Sequence, residues 1–368
     1  MKKQRLLVTG CLLFLLTLSW KAFGQNSSPV LDSLDAYFEK MVIDWGVPSM
    51  SIGIVMDDSL VFAQSYGTRK LGESLKPDPQ TVYAIASNTK AFTSTMIGML
   101  VDEGSLNWDD PVSKYVPEFE LHDPYVSQLV TVRDLLCHRV GLGTYSGDVI
   151  WYKSNLNADQ LIKRIRHIPL QYEFRNGYGY SNLMYITAGQ VIENVTGKTW
   201  VENVQERILD PLGMKRTIAN IDRLKEVGNV ATPHSLLNGK NIVIDWVDWS
   251  QIAAMGGLIS SVEDMAKWMI FNLNHGVWGG DTLFSSSVRN QLWKPHNNFT
   301  VDHIGSNPFN RHFSGYGLGW GLSDYHGRLR VSHTGGFDGM LSAVNLIPDE
   351  KLGVVVLTNG MKSPMMAA

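Results

Sequence analysis

The chain has 368 residues, 44% hydrophobic and 18% charged, with a formal net charge of -3. That is a globular balance with apolar material for a large core, and length alone allows one large domain or two of average size. A near-neutral charge gives no reason to expect nucleic acid or an anionic membrane surface as partner.

The N-terminal segment reads as a secretory signal peptide over residues 1–24. Lys2, Lys3 and Arg5 form a basic head, Leu12 to Leu18 lie in an apolar run, and Ala22-Phe23-Gly24 places small residues before Gln25. The run is short for a transmembrane span, although an uncleaved anchor is the alternative. A lipoprotein reading through Val8-Thr9-Gly10-Cys11 is weaker, because the apolar run continues past Cys11. The protein is therefore expected to be exported, to the periplasm or outside the cell. Cys137 is then the one cysteine left, so no internal disulfide is expected. It reads as a small buried residue rather than a thiol nucleophile.

In the mature chain, Leu31, Leu34, Phe38, Met41 and Val42 recur at helical spacing up to Gly46-Val47-Pro48. Met50 to Met56 and Leu60 to Tyr66 read as a hairpin turning at Asp57-Asp58-Ser59. A strong helix follows from about Ser87 to Glu103, with Gly104 as its C-terminal cap. The region from there to about Trp293 reads as mainly helical with long loops. It includes a helix start at Ser260-Ser261-Val262-Glu263, a capping-box spacing. Leu329 to Ser332, Ser342 to Ile347 and Leu352 to Thr358 are β-rich, with Pro348 to Lys351 as a turn. Gly315 to Gly321 reads as a glycine-rich β-segment allowing close chain approach. Strands at both ends with helices between them predict an α+β fold. Its antiparallel sheet is drawn from about 29–86 and 295–368, with helices over 87–294 inserted in one domain, 29–368.

Three short motifs carry chemistry. Ser87-Asn88-Thr89-Lys90 opens a helix, and residues three apart share a face, so the Lys90 amine can reach the Ser87 hydroxyl. A serine hydroxyl needs a base to become nucleophilic, and burial or nearby positive charge must depress a lysine pKa before it can serve. No other lysine in the chain has a serine at that spacing. Tyr180-Ser181-Asn182 follows a glycine- and tyrosine-rich loop, where a phenol could relay a proton and Asn182 could fix the lysine or a substrate amide. His333-Thr334-Gly335-Gly336 ends a β-run, where glycines allow substrate to approach a strand edge. Seen singly, each also fits a bland reading: a helix cap with a surface lysine, a loop, a glycine turn.

Together and in this order, the three resemble the β-lactamase and penicillin-binding-protein superfamily. The closer likeness is to class C β-lactamases, D-alanyl-D-alanine carboxypeptidases and related esterases and D-aminopeptidases. Leu135-Leu136-Cys137-His138 with Gly141-Leu142, and Met255-Gly256-Gly257-Leu258, add to it. The resemblance implies Ser87 as nucleophile, Lys90 and Tyr180 as the acid/base pair, and Asn182 orienting the substrate amide. It further implies an oxyanion hole from the Ser87 and Gly336 amides. His333, Thr334 and Gly335 would line the pocket, the first two for the leaving side or its carboxylate. The expected substrates are D-alanyl peptides, D-amino-acid amides or small esters, with slow β-lactam turnover.

Two departures stand out. His333 replaces the lysine common in the third box of β-lactamases, weakening attraction for a carboxylate. The chain also stops soon after the last strand, at Met365-Met366-Ala367-Ala368, where relatives usually add a helix, so a fragment is one expectation. No cofactor and no stable partner are implied. With no Gly-x-Ser-x-Gly elbow, and neither His-Glu-x-x-His nor His-x-His among ten histidines, other hydrolase classes and a metal site fit poorly. The 11 tryptophans, Trp246, Trp249 and Trp320 among them, could line a substrate cleft, although most read as core or loop packing. No deacylating carboxylate is identifiable near the boxes, which keeps open an acylated sensor or binding module that scarcely turns over.

Overall fold

The computed structural model describes residues 29–301 and 311–362. The expected signal segment and the last residues, 363–368, lie outside that range.

Helix α1, Pro29–Trp45, turns Leu34, Phe38, Met41 and Val42 onto Met50, Ile52, Ile54 and Phe62. The last four belong to the first hairpin, β1 (Ser49–Met56) and β2 (Ser59–Gly67). Asp57 and Asp58 between them both take positive φ, 46° and 64°. That backbone twist matches the twist of paired strands, and aspartate tolerates it better than most residues.

Six more strands complete the sheet: β3 (Asn297–Phe299), β4 (Ser314–Tyr316), β5 (Gly321–Tyr325), β6 (Arg328–Phe337), β7 (Met340–Ile347) and β8 (Leu352–Thr358). Their order is β2-β1-β8-β7-β6-β5-β4-β3, with every neighbouring pair antiparallel. The first hairpin closes onto the last strand in the register Ile54↔Val354, so both chain ends build one sheet as expected. Even positions of β1 face α1, whereas Gly53 and Val55 face the interior.

Two β-assignments need correction. β6 continues past Ser332 through the whole His333–Gly336 box to Phe337. The Gly315–Gly321 segment breaks into two strands joined by a turn in which Gly319 has φ 78°. A Cβ on Gly319 would lie 2.7 Å from Ser94 Oγ and 2.8 Å from the Lys90 carbonyl oxygen. The turn is therefore pressed against the buried helix, and side-chain volume is excluded there.

That helix is α2, Thr89–Asp102, entered through a 3-10 turn at Ala86–Asn88. Residues 89 to 100 are buried without interruption, the pattern of a helix surrounded by protein. Helices α3 (Asn182–Thr196) and α4 (Val262–Leu273) flank it, with short helices and one small hairpin between these two in sequence and a second small hairpin after α4. The cap of α4 is Ser261, whose hydroxyl accepts from the Asp264 amide at 3.3 Å, one residue later than the capping-box spacing predicts. Cys137 is buried as expected; burial pushes its thiol up to about 12, so it packs as an apolar side chain.

Asp134 anchors the loops beside α2. It closes a capping box with Thr131 and receives Arg139 Nε at 2.6 Å and Arg175 Nη2 at 2.6 Å. Burial alone would raise its pKa, but the hydrogen bond from Arg175 and those from Thr131 hold it below the usual carboxylate range. Its stabilisation is then present at neutral pH and is lost as pH falls through that lowered value. Asp134→Ala should cost about 2–3 kcal/mol by chemical denaturation at pH 7, since both arginines keep partial access to water. A loss below about 0.5 kcal/mol would show the cluster to be ornamental.

Candidate active site

The first box sits on a strained turn. Ala86 takes φ 46°, a left-handed conformation unusual for a residue with a Cβ, just before Ser87. The turn is tied to the sheet by Asn88 Nδ2, which donates to Ser342 Oγ at 2.8 Å, and by Ser342 Oγ, which donates to the Ile85 carbonyl at 2.6 Å. β6 passes so close that a Cβ on Gly335 would lie 2.2 Å from the Ile85 carbonyl oxygen and 3.0 Å from the Ser87 nitrogen. Only glycine fits there. The pairing of β5 with β6 ends at Gly321↔Ser332, leaving residues 333–337 paired with β7 on one side and facing the cleft on the other. Backbone amides along that free edge are available to a bound group.

Lys90 lies one turn into the helix, fully buried, with Nζ 3.0 Å from Ser87 Oγ, 2.8 Å from Asn182 Oδ1 and 2.6 Å from the Met255 carbonyl. Desolvation lowers its pKa to about 7, against an opposing pull from Asp148. The directions of these hydrogen bonds follow from the partners. Asn182 Nδ2 donates to Asp148 Oδ2 at 2.8 Å, which fixes the amide so that Oδ1, an acceptor, faces the lysine. The Met255 carbonyl can also only accept. A neutral amine has two N–H groups and one lone pair. The N–H groups go to Asn182 and Met255, and the lone pair faces the Ser87 hydroxyl. That arrangement can take the hydroxyl proton.

Tyr180 packs over the same centre. Its ring lies 4.9 Å from Lys90 Nζ, and its hydroxyl interacts with Ser87. Burial pushes the phenol well above its ordinary value, and the Ser87 contact offsets this only in part, so it stays protonated at neutral pH. Gly179 brings the loop in; a Cβ there would fall 1.7 Å from the Leu142 carbonyl oxygen.

His333 lines the cleft with its ring held at both nitrogens. Its Nδ1 is 2.6 Å from the Thr334 carbonyl and therefore carries the proton, while Nε2 accepts from Tyr316 Oη at 2.9 Å. Burial, with the neighbouring Lys90 charge, depresses its pKa to about 3. The ring lines the cleft as a neutral group with both nitrogens engaged, so it offers no cation to a carboxylate. Thr334 stays exposed beside it.

The boxes open onto a cleft of about 750 Å³ lined by Ser87, Tyr180, Asn182 and residues 333–336. Lys90 sits behind that surface. The sequence reading missed Asp148, a half-buried carboxylate whose pKa is raised chiefly by burial. Its other oxygen accepts from Trp151 Nε1 at 2.8 Å. No local motif marks Asp148; the Asn182 amide alone, 34 residues away, betrays its purpose. It gave no role to His138, whose ring centroid lies 4.4 Å from that of Tyr180 at a tilt of 34° and whose Nδ1 accepts from the Ser181 amide at 3.0 Å. Trp151 and Trp249 line the cleft, Trp246 packs on Phe337, and Trp320 is buried against Trp268.

This fold and constellation define a class, and comparison with known proteins names it. A Beta-lactamase family model matches residues 34–368, and the chain belongs to that family of hydrolases. It is 30% identical over 367 residues to Unguisins hydrolase ungD of Aspergillus violaceofuscus, covering 91% of this chain and 63% of that protein. Protein flp of Staphylococcus aureus strain MW2 is 28% identical over 334 residues, covering 89% and 62%. The chain thus spans under two thirds of the length of these curated relatives. Among solved structures, the octameric penicillin-binding protein homologue from Pyrococcus abyssi superposes with a TM-score of 0.80 at 27% identity, over 92% of this chain and 75% of that one. The D-amino acid amidase from Ochrobactrum anthropi SV3 shares the fold, with a TM-score of 0.70 at 23% identity over 89% and 91%.

Because the Asp148 charge raises the Lys90 pKa, Asp148→Ala should move it further below its value near 7. A nitrogen-detected NMR titration of the Lys90 amine reads this directly. An unchanged or higher pKa would mean that Asp148 does not act on the amine.

Proposed function

We propose that the protein is an exported serine hydrolase working through an acyl-enzyme on Ser87. The observation that carries this reading is a buried lysine of depressed pKa whose Nζ lies 3.0 Å from Ser87 Oγ, with its other two contacts both acceptors. Ser87 Oγ attacks the substrate carbonyl as its proton passes to Lys90. The tetrahedral oxyanion is held by the Ser87 N–H and the free-edge N–H of Gly336, with the helix start adding partial positive charge. The bond to the leaving nitrogen or oxygen then breaks as that atom takes a proton from the Tyr180 hydroxyl, which Lys90 resupplies. Water hydrolyses the resulting ester, releasing the acid and restoring Ser87.

D-alanyl peptides, D-amino-acid amides and small esters are the substrates this reading favours, supported by relatives named as a hydrolase and a D-amino acid amidase. A neutral His333 gives weak capture of a carboxylate beside the scissile bond, consistent with slow β-lactam turnover. One observation favours the second reading, a penicillin-binding sensor: the cleft carboxylate Asp148 is occupied by Asn182 and Trp151 rather than open to a water. Intact mass over time separates the two, an adduct lasting hours marking a sensor and one lasting seconds an enzyme.

Ser87→Ala should abolish labelling by a fluorescent penicillin and a fluorophosphonate, as well as p-nitrophenyl ester hydrolysis. Equal labelling of both proteins would remove Ser87 from the chemistry. Since Lys90 must be neutral to act, the acylation rate should rise with pH and reach half its plateau near pH 7. A profile flat from pH 5.5 to 9 would assign the base elsewhere.

A further inference from the structure

Tyr180 precedes α3 on a stretch with neither helix nor strand, so its phenol is held over Ser87 by contacts from elsewhere. Its neighbours on both sides are tied to one residue. The Gly179 N–H donates to the His138 carbonyl oxygen at 3.0 Å, and the Ser181 N–H donates to His138 Nδ1 at 3.0 Å. Between them the Tyr180 N–H goes to Thr144 Oγ1 at 3.2 Å, and the Tyr180 carbonyl accepts from the Tyr145 N–H at 2.8 Å. The His138 ring also packs on the phenol itself, and is wedged against Tyr316 and Tyr185 at centroid distances of 4.9 and 5.3 Å.

His138 is fully buried and carries two costs. Its φ of 60° is left-handed, a region that residues with a Cβ seldom enter, although histidine and asparagine do so more readily than most. The second cost is an orphaned donor. A backbone N–H can only donate, so the Nδ1 that meets Ser181 is bare and the ring proton is on Nε2. That nitrogen is buried and has no hydrogen-bond partner among the described residues. Burial, with the positive charge of Lys90 nearby, keeps the ring neutral by pushing its pKa well below the usual histidine value. A phenylalanine there would leave no orphan, but it would offer Ser181 no acceptor. Backbone strain and an unpaired N–H at one buried residue point to what that residue holds.

We propose that His138 is a positioning residue for proton transfer by Tyr180, its carbonyl and its Nδ1 gripping both flanks of the loop so that the phenol stays over Ser87. This rests on the Ser87 acyl-enzyme reading. For an ester, the bond from Ser87 Oγ to the acyl carbon forms, the bond from that carbon to the leaving oxygen breaks, and that oxygen takes the Tyr180 proton, which Lys90 resupplies. Transfer requires the phenol within hydrogen-bond reach of the leaving atom. A displaced phenol matters little when the leaving group departs as a stable anion, and much when it must be protonated to depart. A loosened Tyr180 therefore shows itself as a loss of rate that grows with leaving-group basicity. A general distortion of the site lowers all substrates alike.

Two variants isolate the acceptor. His138→Gly and His138→Asn both suit a left-handed backbone and both remove the ring, but only asparagine returns an acceptor on Cγ. The test is kcat/KM for the acetate esters of p-nitrophenol, phenol and trifluoroethanol, which share an acyl group and rise in leaving-group basicity. His138→Gly should lose about threefold on the first and about a hundredfold on the last, within the range that a positioned general acid supplies. His138→Asn should recover about tenfold of the larger loss. Equal losses on all three esters, or an asparagine variant no better than glycine, overturns the positioning role. Nitrogen NMR of histidine-labelled protein at pH 7, with His138 assigned by its absence from His138→Asn, should place the ring proton on Nε2. A proton on Nδ1 overturns the clamp, even where the glycine variant does not fold. Ser87→Ala reports on the parent reading separately. Undiminished p-nitrophenyl acetate hydrolysis by that variant overturns the serine chemistry and leaves the clamp to the NMR result, whereas Ser87-dependent hydrolysis with equal losses overturns only the role of His138.

Discussion

The site depends on one amide being held the right way round. Asn182 could present either its oxygen or its nitrogen to Lys90, and the two choices have opposite consequences. With Nδ2 given to Asp148, the oxygen must face the lysine and take one of its N–H groups. The Met255 carbonyl takes another. A neutral amine then has only its lone pair left for Ser87. A carboxylate that touches neither the serine nor the lysine thus decides which way a proton can move.

The fold exists to keep that amine dry without leaving it unpaired. A buried lysine with no partners would be costly, and one paired directly with a carboxylate would stay charged. Here the acid is one amide removed, so desolvation outweighs its opposing pull and the pKa settles near 7. The helix carrying Lys90 is packed on all sides, the sheet lies across its start, and the Gly317–Trp320 turn closes over its first turns. Rigidity follows from glycine positions where no side chain fits, Gly335 against Ile85 above all. The strained Ala86 is retained because Asn88 and Ser342 clamp the turn from both sides.

The cleft also divides its charge. Around Ser87 at pH 7 stand an amine poised near its pKa, a protonated phenol and an uncharged His333. Charged side chains stand toward the two ends of β6, Arg330 near its start and Asp338, paired with Lys153, in the turn after its end.

Much of this was legible in the residues. Period-2 and period-3.6 patterns located β1, β2, α1 and α2, and three motifs in order placed Ser87, Lys90, Tyr180, Asn182 and the His333–Gly336 edge around one cleft. These are local signals: serine-to-lysine spacing is one helical turn, and a glycine pair marks close approach wherever it sits. What only the tertiary structure decided is what each group meets across long sequence separations. Asp148 has no motif, because its partner is 34 residues away and its effect lies in the orientation of an amide. The extension of β6 through the third box came from pairing with β7, and the break at Gly319 from pressure against α2. The protonation of His333 followed from Tyr316 and burial rather than from its identity. Chain order fixes which side chains are one turn apart, but hydrogen-bond direction and dielectric are set by neighbours that only folding supplies.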